Sequence, residues 1–78
     1  DDSATRYNLR LAGQFSLIDT RNGAELLRGT ARAIAAYNVV LSDYANLISQ
    51  KDARKRAAYS MAEGIQSRIA VYFSRRRG

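Results

Sequence analysis

The chain has 78 residues, 46% of them hydrophobic, and it contains no Cys, His, Pro or Trp. A chain of this length buries only about 60% of its unfolded surface, so a single domain over residues 1–78 is the upper limit. Without Cys or His there is no disulfide, no common zinc site and no Ser-His or Cys-His nucleophile pair. We therefore expect no enzymatic activity and no metal or other cofactor.

The first predicted element is a β-strand from Arg6 to Ile18. Apolar and polar residues alternate along it with a period of two, which is typical of a strand with one buried face. Gly13 interrupts the apolar face and predicts either a β-bulge or a close approach by another part of the chain. The apolar positions are Tyr7, Leu9, Leu11, Phe15 and Leu17.

A second alternating run, from Glu25 to Asn38, predicts another strand. The pair Asn22-Gly23 between the two runs is a strong hairpin signal, so the sequence predicts an antiparallel hairpin over residues 5–40. Small residues dominate the apolar face of the second strand, which leaves room for a large element to pack there. That face consists of Leu27, Ala31, Ala33, Ala35, Tyr37 and Val39.

The two apolar faces limit the choice of turn. A two-residue loop at Asn22-Gly23 would place Leu17 on the same side as Arg28. A three-residue loop with Gly23 in the left-handed conformation makes the apolar faces coincide. A bulge at Gly13 or Gly29 could make the same correction.

A long amphipathic helix is predicted over residues 50–75, whereas residues 38–49 fit either a strand extension and loop or a short helical turn. Ser49 and Asp52 have the spacing of a capping box at the start of the helix. Together these elements predict an α+β fold, in which a long antiparallel hairpin is followed by one long C-terminal helix that packs on the sheet. The apolar stripe of the helix, at about 100° per residue, comprises Ala57, Ala58, Met61, Ala62, Ile65, Ile69, Tyr72 and Phe73.

The net charge of +6 is unevenly distributed along the chain. Residues 1–50 have equal numbers of basic and acidic side chains, so the excess lies in residues 51–78 and indicates an anionic partner. The longest apolar run is too short to span a bilayer. The opening residues Asp1-Asp2-Ser3 lack the basic segment of a signal peptide.

The order of these segments resembles the second half of the LptE family of lipopolysaccharide-assembly lipoproteins, over about residues 5–73. The resemblance implies half of an α/β sandwich. It also implies a protein with an N-terminal lipid anchor at the periplasmic face of the outer membrane, which plugs the β-barrel protein LptD and assists lipopolysaccharide transport. The anchor Cys and the first part of such a domain are absent from this sequence, which suggests a truncated domain. The matching pieces are Thr5-Arg6-Tyr7-Asn8-Leu9, Leu27-Arg28-Gly29-Thr30-Ala31, Tyr37-Asn38, Ser42-Asp43-Tyr44-Ala45, Asp52-Ala53, Met61-Ala62-Glu63-Gly64-Ile65 and Arg68-Ile69.

The candidate lipopolysaccharide-binding residues are Lys51, Arg54 and Lys55. The resemblance implies a basic contact near the start of the last helix, and Lys51 best matches it. Arg54 and Lys55 join it because they lie in the same part of a basic helix, and the aliphatic part of Arg54 could lie at a helix–sheet edge. The alternative is that all three belong to an ordinary solvated helix face.

Two further expectations concern partners. A hairpin and one helix bury little apolar surface, so the chain could pair its strand edges with another copy of itself. The main alternative function is a small basic nucleic-acid-binding module. We do not expect nucleic acid to be the partner, because the polar strand face lacks the stacking aromatics of RNA-binding sheets.

The remaining candidates have simpler explanations. The aromatic residues on the predicted strands and helix could line a lipid groove, but their spacing favours an ordinary core. Tyr44 and Tyr59 do not fit the core spacing and could contribute to a partner surface. The arginines 75–77 are interpreted as a tail rather than a binding site. The aromatics given to the core are Tyr7, Phe15, Tyr37, Tyr72 and Phe73.

Overall fold

The computed structural model describes residues 5–77. Three elements follow one another along the chain: strand β1 (Thr5–Ile18), strand β2 (Glu25–Val39) and helix α1 (Asp43–Arg77). The strands pair antiparallel, and the helix packs on one face of the resulting two-stranded sheet. The predicted α+β fold, a long hairpin followed by one long C-terminal helix, is therefore confirmed.

The ladder between the strands is regular from the pair Thr5 and Val39 to the pair Leu17 and Leu27. In this register the odd-numbered residues of both strands share one face, and the buried alanines of β2 place α1 on that face. Directly opposed residues of an antiparallel pair point their side chains to the same side. The predicted coincidence of the two apolar faces is thus confirmed.

The register changes beside the turn rather than within the ladder. Glu25 pairs with the last residue of β1, and Leu26 then has no partner, so it is the extra residue of a β-bulge. The alternative bulges at Gly13 and Gly29 are wrong, because both glycines have directly opposed partners. The bulge next to the turn brings the apolar residues of both strands to the same side of the sheet, so the rest of the ladder needs no second bulge.

The turn has four residues, 20–23, between Asp19 and Ala24. The Asp19 N–H donates to the Ala24 carbonyl at 2.8 Å, and the Gly23 N–H donates to the Asp19 carbonyl at 2.7 Å. Gly23 has a φ of 74°, so its predicted left-handed conformation is confirmed. The predicted three-residue loop is one residue too short, because the four-residue turn and the bulge at Leu26 together set the register.

Side chains of the turn stabilise it locally. The Arg21 guanidinium donates from Nε to Asp19 Oδ1 at 3.1 Å and from Nη2 to Oδ2 at 2.9 Å. The Arg21 backbone N–H adds a bond to Oδ1 at 3.0 Å. These contacts lower the pKa of Asp19, the side-chain bond more than the backbone bond. Asn22 Oδ1 accepts from the Ala24 N–H at 2.9 Å, which is typical of Asn in turns.

The helix begins at Asp43, seven residues before the predicted start. The Ser42 hydroxyl accepts from the Ala45 N–H at 3.2 Å and therefore caps the N-terminus. The predicted capping box of Ser49 and Asp52 is wrong, since both residues lie within the helix. Residues 38–49 thus contain the end of β2, a short connection and the first two turns of α1.

The core between helix and sheet consists of small residues. Ala53 and Ala57 are 0% and 1% exposed, and they pack against buried Ala33 and Ala35 of β2. Met61 packs beside them, and its Cε lies 3.4 Å from the position that a Cβ at Gly13 would occupy. The predicted close approach at Gly13 is therefore confirmed, and it is made by the helix.

The face of α1 that is turned toward the sheet agrees in part with the predicted stripe: Ala57, Met61, Ile65 and Ile69 face inward as predicted, and Ala53 joins them. Buried and half-buried residues recur every four positions, whereas Ala58, Ala62 and Phe73 are exposed. A spacing of four moves the stripe by about 40° around the helix at each step. A twisted sheet demands such a shift along its length. The inward residues are Ala53, Ala57, Met61, Ile65 and Ile69.

Candidate functional site: basic surfaces of the helix and sheet

The predicted binding residues Lys51, Arg54 and Lys55 lie within little more than one turn of α1 and are all exposed. Residues three and four positions apart are neighbours on a helix surface, so the three positive charges are close together. Within residues 5–77 none of them forms an ion pair. The nearby Asp52 accepts from Arg56 Nε at 2.8 Å instead.

Arg56, rather than Arg54, makes the contact at the edge of the sheet. Its Nη2 donates to the Ala36 carbonyl of β2 at 2.9 Å, so it ties helix to strand. Arg54 is exposed and has no hydrogen-bond partner among the described residues. It is therefore available to solvent together with Lys51 and Lys55.

Two lysines share one exposed face of α1 with large apolar side chains. Successive members of the set are three or four residues apart, which places them within about 80° on the helix surface. Tyr44 is 74% exposed and Tyr59 is 64% exposed, so neither belongs to the core. We call this set the amphipathic stripe, and its members are Tyr44, Ile48, Lys51, Lys55 and Tyr59.

The amphipathic stripe contains two of the predicted binding residues, Lys51 and Lys55, together with the two tyrosines that do not fit the core spacing. Tyr44 lies seven residues before Lys51, and Tyr59 lies four residues after Lys55. Paired ammonium groups between aromatic and aliphatic side chains suit a ligand that has both anionic and apolar parts. The arrangement can thus bind an amphiphile by charge and by apolar contact.

A second surface is a groove of about 520 Å³ near the C-terminal end of α1. Its arginines are held by backbone and aromatic groups: Arg68 Nη1 donates to the Thr30 carbonyl at 2.5 Å and lies 5.6 Å from the Phe15 ring centroid. Arg76 lies 5.7 Å from the Tyr72 ring centroid. Among residues 5–77 no acidic side chain lines the groove, which is formed by Leu27, Ser67, Arg68, Val71, Tyr72, Arg75 and Arg76.

The predicted tail is instead the last turn of the helix. α1 continues through Arg77, and Arg75 and Arg76 line the groove. Their interpretation as a tail is therefore wrong. Cations are favoured at a helix C-terminus because the backbone carbonyls there carry partial negative charge, which explains why this basic segment remains helical.

The sheet face opposite the helix is also basic. The net charge of residues 1–50 is zero and gives no sign of this. Arg6, Arg10, Arg28 and Arg32 all have even numbers, so they share the face opposite α1. Only Arg28 has an ion pair within residues 5–77, with Glu25 at 3.0 Å. The other described acids of the first half lie in the turn and at the helix start, while Asp1 and Asp2 lie outside the described residues. Because alternate residues of a strand point to the same face, the even numbers of the four arginines could have predicted this surface from the sequence.

Strand aromatics lie on the helix side of the sheet and none lies on the open face within residues 5–39. Tyr7 and Tyr37 oppose one another with ring centroids 6.0 Å apart. Phe15 and Tyr72 pack with arginines, as described above. Tyr7 is nevertheless 50% exposed and Phe73 is also exposed, so the predicted aromatic core is only partly buried.

Comparisons with known proteins give one informative similarity. No protein-family model matches the chain, and no curated protein matches it. A crystal structure from Caulobacter crescentus CB15, described as that of a "putative lipoprotein", superposes with a TM-score of 0.83 at 32% sequence identity. The match covers 88% of this chain and 52% of the other, so the chain spans about half the length of that protein.

The similarity involves both backbone and sequence. A TM-score of 0.83 over most of the chain means that hairpin and helix have the same relative arrangement in both proteins. The chain is thus similar to a protein described as a lipoprotein. Within residues 5–77 no helix is both long enough and apolar enough to span a membrane.

Proposed function

We propose that this chain is the C-terminal half of an LptE-like outer-membrane lipoprotein that has no enzymatic activity. It acts with an LptD-like β-barrel in lipopolysaccharide transport to the cell surface, at the periplasmic face of the outer membrane. The observation that carries the lipoprotein part of the proposal is the similarity to the Caulobacter protein over 88% of the chain. The order of the LptE-like segments along this hairpin and helix supports it.

The amphipathic stripe supplies the proposed contact with lipopolysaccharide. Lys51 and Lys55 are one helical turn apart, so both ammonium groups can approach phosphates of one lipid molecule. Arg54 lies beside them, and a guanidinium can donate two parallel hydrogen bonds to a phosphate. Ile48 and the two tyrosines offer apolar surface to the rest of the lipid.

The shape of the molecule suits the proposed role as a plug. The chain measures 59 × 23 × 13 Å and consists of a long antiparallel ladder and one 35-residue helix. Such a body presents a stiff surface to a barrel wall. The barrel would bind a preformed shape, and basic side chains would remain available to the lipid.

Charge reversal provides the test with lipopolysaccharide. We expect the double variant Lys51→Glu/Lys55→Glu to bind purified lipopolysaccharide at least about tenfold more weakly in a calorimetric titration, since both attractions become repulsions. The matched control is Arg10→Glu/Arg32→Glu on the open sheet face, which changes the net charge by the same amount. If both double variants lose the same affinity for lipopolysaccharide, the interaction is unspecific electrostatic attraction. If neither loses affinity, the amphipathic stripe does not bind lipopolysaccharide.

The barrel partner needs a separate measurement. A purified LptD-like β-barrel should retain the chain in size-exclusion chromatography, and the stripe variant should still co-elute because its fold is unchanged. Failure of the unmodified chain to bind either lipopolysaccharide or the barrel, combined with salt-dependent binding of a DNA or RNA probe at physiological ionic strength, would favour the nucleic-acid alternative.

A further inference from the structure

The groove near the C-terminal end of α1 lies on the side of the helix that covers the edge of β2. There the Arg56 and Arg68 guanidinium groups donate to the carbonyls of Ala36 and Thr30. The same Arg68 lines the groove together with Leu27 of β2. A further strand at this edge would have to displace the two arginines from their carbonyls, so the groove is not a place where the sheet is extended.

The lining of the groove is mainly apolar. Leu27 and Tyr72 are half-buried, and Val71 is 48% exposed. An apolar ligand in this concave space would remove apolar surface of both partners from water. The volume of about 520 Å³ lies in the ordinary range of sites that hold one small molecule. The groove thus has the size and the lining for a single acyl chain.

Three positive charges adjoin this apolar lining, those of Arg68, Arg75 and Arg76. They exceed the negative charge at a helix C-terminus, which is about half an elementary charge. The pKa of Asp19 is lowered mainly by Arg21 and to a small extent by the charge of Arg76. Asp19 is nevertheless bonded to Arg21 and does not line the groove. The groove is therefore complementary to an anion.

Two of the three arginines are held in place before any ligand binds. Arg68 donates to the Thr30 carbonyl and lies against the Phe15 ring, as described above. Arg76 Nη1 donates to the Tyr72 hydroxyl at 3.3 Å and lies over the same ring. A guanidinium has five N–H donors, so each arginine retains donors for a ligand. Side chains that are already ordered lose less entropy on binding.

The third arginine has no partner of this kind. Arg75 is exposed, and among the described side chains it has neither a hydrogen bond nor an ion pair. Its planar guanidinium can donate two parallel bonds to a carboxylate. The three arginines thus combine one available donor group with two that are fixed beside it.

We propose that this groove binds a single-chain fatty acid. The carboxylate accepts from Arg75 and from the remaining donors of the neighbouring arginines, while the acyl chain lies against Leu27, Val71 and Tyr72. A lipid with two or more chains would leave most of its apolar surface outside a groove of this volume. The groove is separate from the amphipathic stripe, since Lys55 and Arg75 are about 30 Å apart along the helix, and the proposal does not depend on the proposed function.

Calorimetric titration with dodecanoate, below its micelle concentration, tests the proposal on the unmodified chain. From octanoate to dodecanoate the affinity should rise by about twofold to fourfold for each added CH₂, because the chain enters an apolar lining. Acetate should not bind measurably. Dodecyl maltoside, which has the same chain and no charge, should bind at least about tenfold more weakly than dodecanoate.

Two pairs of variants separate the charge from the apolar lining. Arg75→Glu should weaken dodecanoate binding at least about tenfold, whereas Arg10→Glu makes the same charge change on the open sheet face and should leave it within about twofold. Val71→Ser should weaken binding about fivefold. Its control is Ile34→Ser, which truncates another exposed apolar residue, on the open sheet face, and should have no effect.

Several results would overturn the proposal. One is the absence of dodecanoate binding, and another is an equal loss in Arg75→Glu and Arg10→Glu. A third is loss of dodecanoate binding in Lys51→Glu/Lys55→Glu with none in Arg75→Glu, which would place the fatty acid on the amphipathic stripe. A longer natural form of the protein that does not bind dodecanoate would also overturn it, because its additional chain would then fill the groove.

Discussion

The two ends of the contact between helix and sheet are packed in different ways. Near the start of α1, Ala53 and Ala57 meet Ala33 and Ala35, and all four are buried. Near the hairpin turn the helix meets larger side chains, and a groove of about 520 Å³ remains between the two elements. The same helix on the same sheet is therefore tightly packed at one end and open at the other.

Side-chain size explains the difference. Alanines let a helix approach a strand closely, because each contributes only a methyl group to the space between them. At the other end the larger side chains of Leu27, Val71 and Tyr72 line a groove instead of filling the space between helix and strand. The tight end holds the helix against the sheet, while the other end leaves an open groove.

The tight end should tolerate added volume poorly. Ala57→Leu inserts a larger side chain between α1 and β2, and we expect it to lower the free energy of unfolding by about 1–3 kcal/mol. The adjacent Ala58→Leu adds the same atoms at an exposed position and should change stability by less than about 0.5 kcal/mol. Urea denaturation of the two variants measures the difference, and equal costs would show that the alanine contact is not close-packed.

The region nearer the open end should respond less strongly. A Cβ at Gly29 would lie 2.8 Å from the Phe15 ring and 3.0 Å from Arg68 Nη1, so Gly29→Ala must displace side chains that can move. We expect a loss of about 1 kcal/mol. Gly64 on the helix has no such neighbour within 4 Å, and Gly64→Ala should stabilise the chain by about 0.4–1 kcal/mol. Thermal unfolding should thus shift in opposite directions for the two substitutions.

The smallest effect is expected at the turn beyond the open end. The pKa of Asp19 is lowered mainly by the Arg21 side chain. A lowered pKa means that ionised Asp19 stabilises the folded chain above the ordinary pKa of an aspartate, and this contribution is lost as the pH falls through the lowered value. Asp19→Asn should therefore reduce the melting temperature at about pH 7 and have little effect near about pH 2. A pH-independent difference would contradict the assigned role of the carboxylate.

Local sequence patterns were sufficient for the hairpin. Alternation identified both strands, and Asn22-Gly23 located the turn with Gly23 in the left-handed conformation. These features depend on neighbours in the chain, since side chains of a strand alternate between faces and glycine tolerates positive φ. The fold class followed because only one long segment remained for the helix.

The start of the helix could not be read in the same way. Ser49 and Asp52 imitate a capping box, yet α1 begins at Asp43, where the Ser42 hydroxyl caps the helix and the Asn46 side chain bonds to Val40 of the preceding connection. That contact joins two elements whose relative position no local pattern contains. The same holds for Arg56 and Arg68, which the sequence presents as ordinary helix charges and the fold uses to cover β2.

Part of the candidate site could be predicted from the sequence, and part became visible only in the structure. The resemblance and the helical charge pattern indicated Lys51, Arg54 and Lys55, but the core spacing left Tyr44 and Tyr59 without a place. The structure adds both tyrosines to one exposed stripe with the two lysines. It also shows that the arginines of the strands share the open sheet face, which a net charge for each half of the chain had hidden.

The sequence by itself determined the hairpin, the position of its turn and the presence of a basic helix, because these depend on alternation, glycine and charge along the chain, whereas the length of the turn and the bulge at Leu26 came from the structure. The helical period also predicted four of the five inward residues of the helix, and only the tertiary structure added Ala53 and excluded Ala58, Ala62 and Phe73, because the inward stripe follows the twist of the sheet. It also decided that the helix lies nearer β2 and covers its edge. Within residues 5–77 the helix therefore covers the edge of β2 and not that of β1.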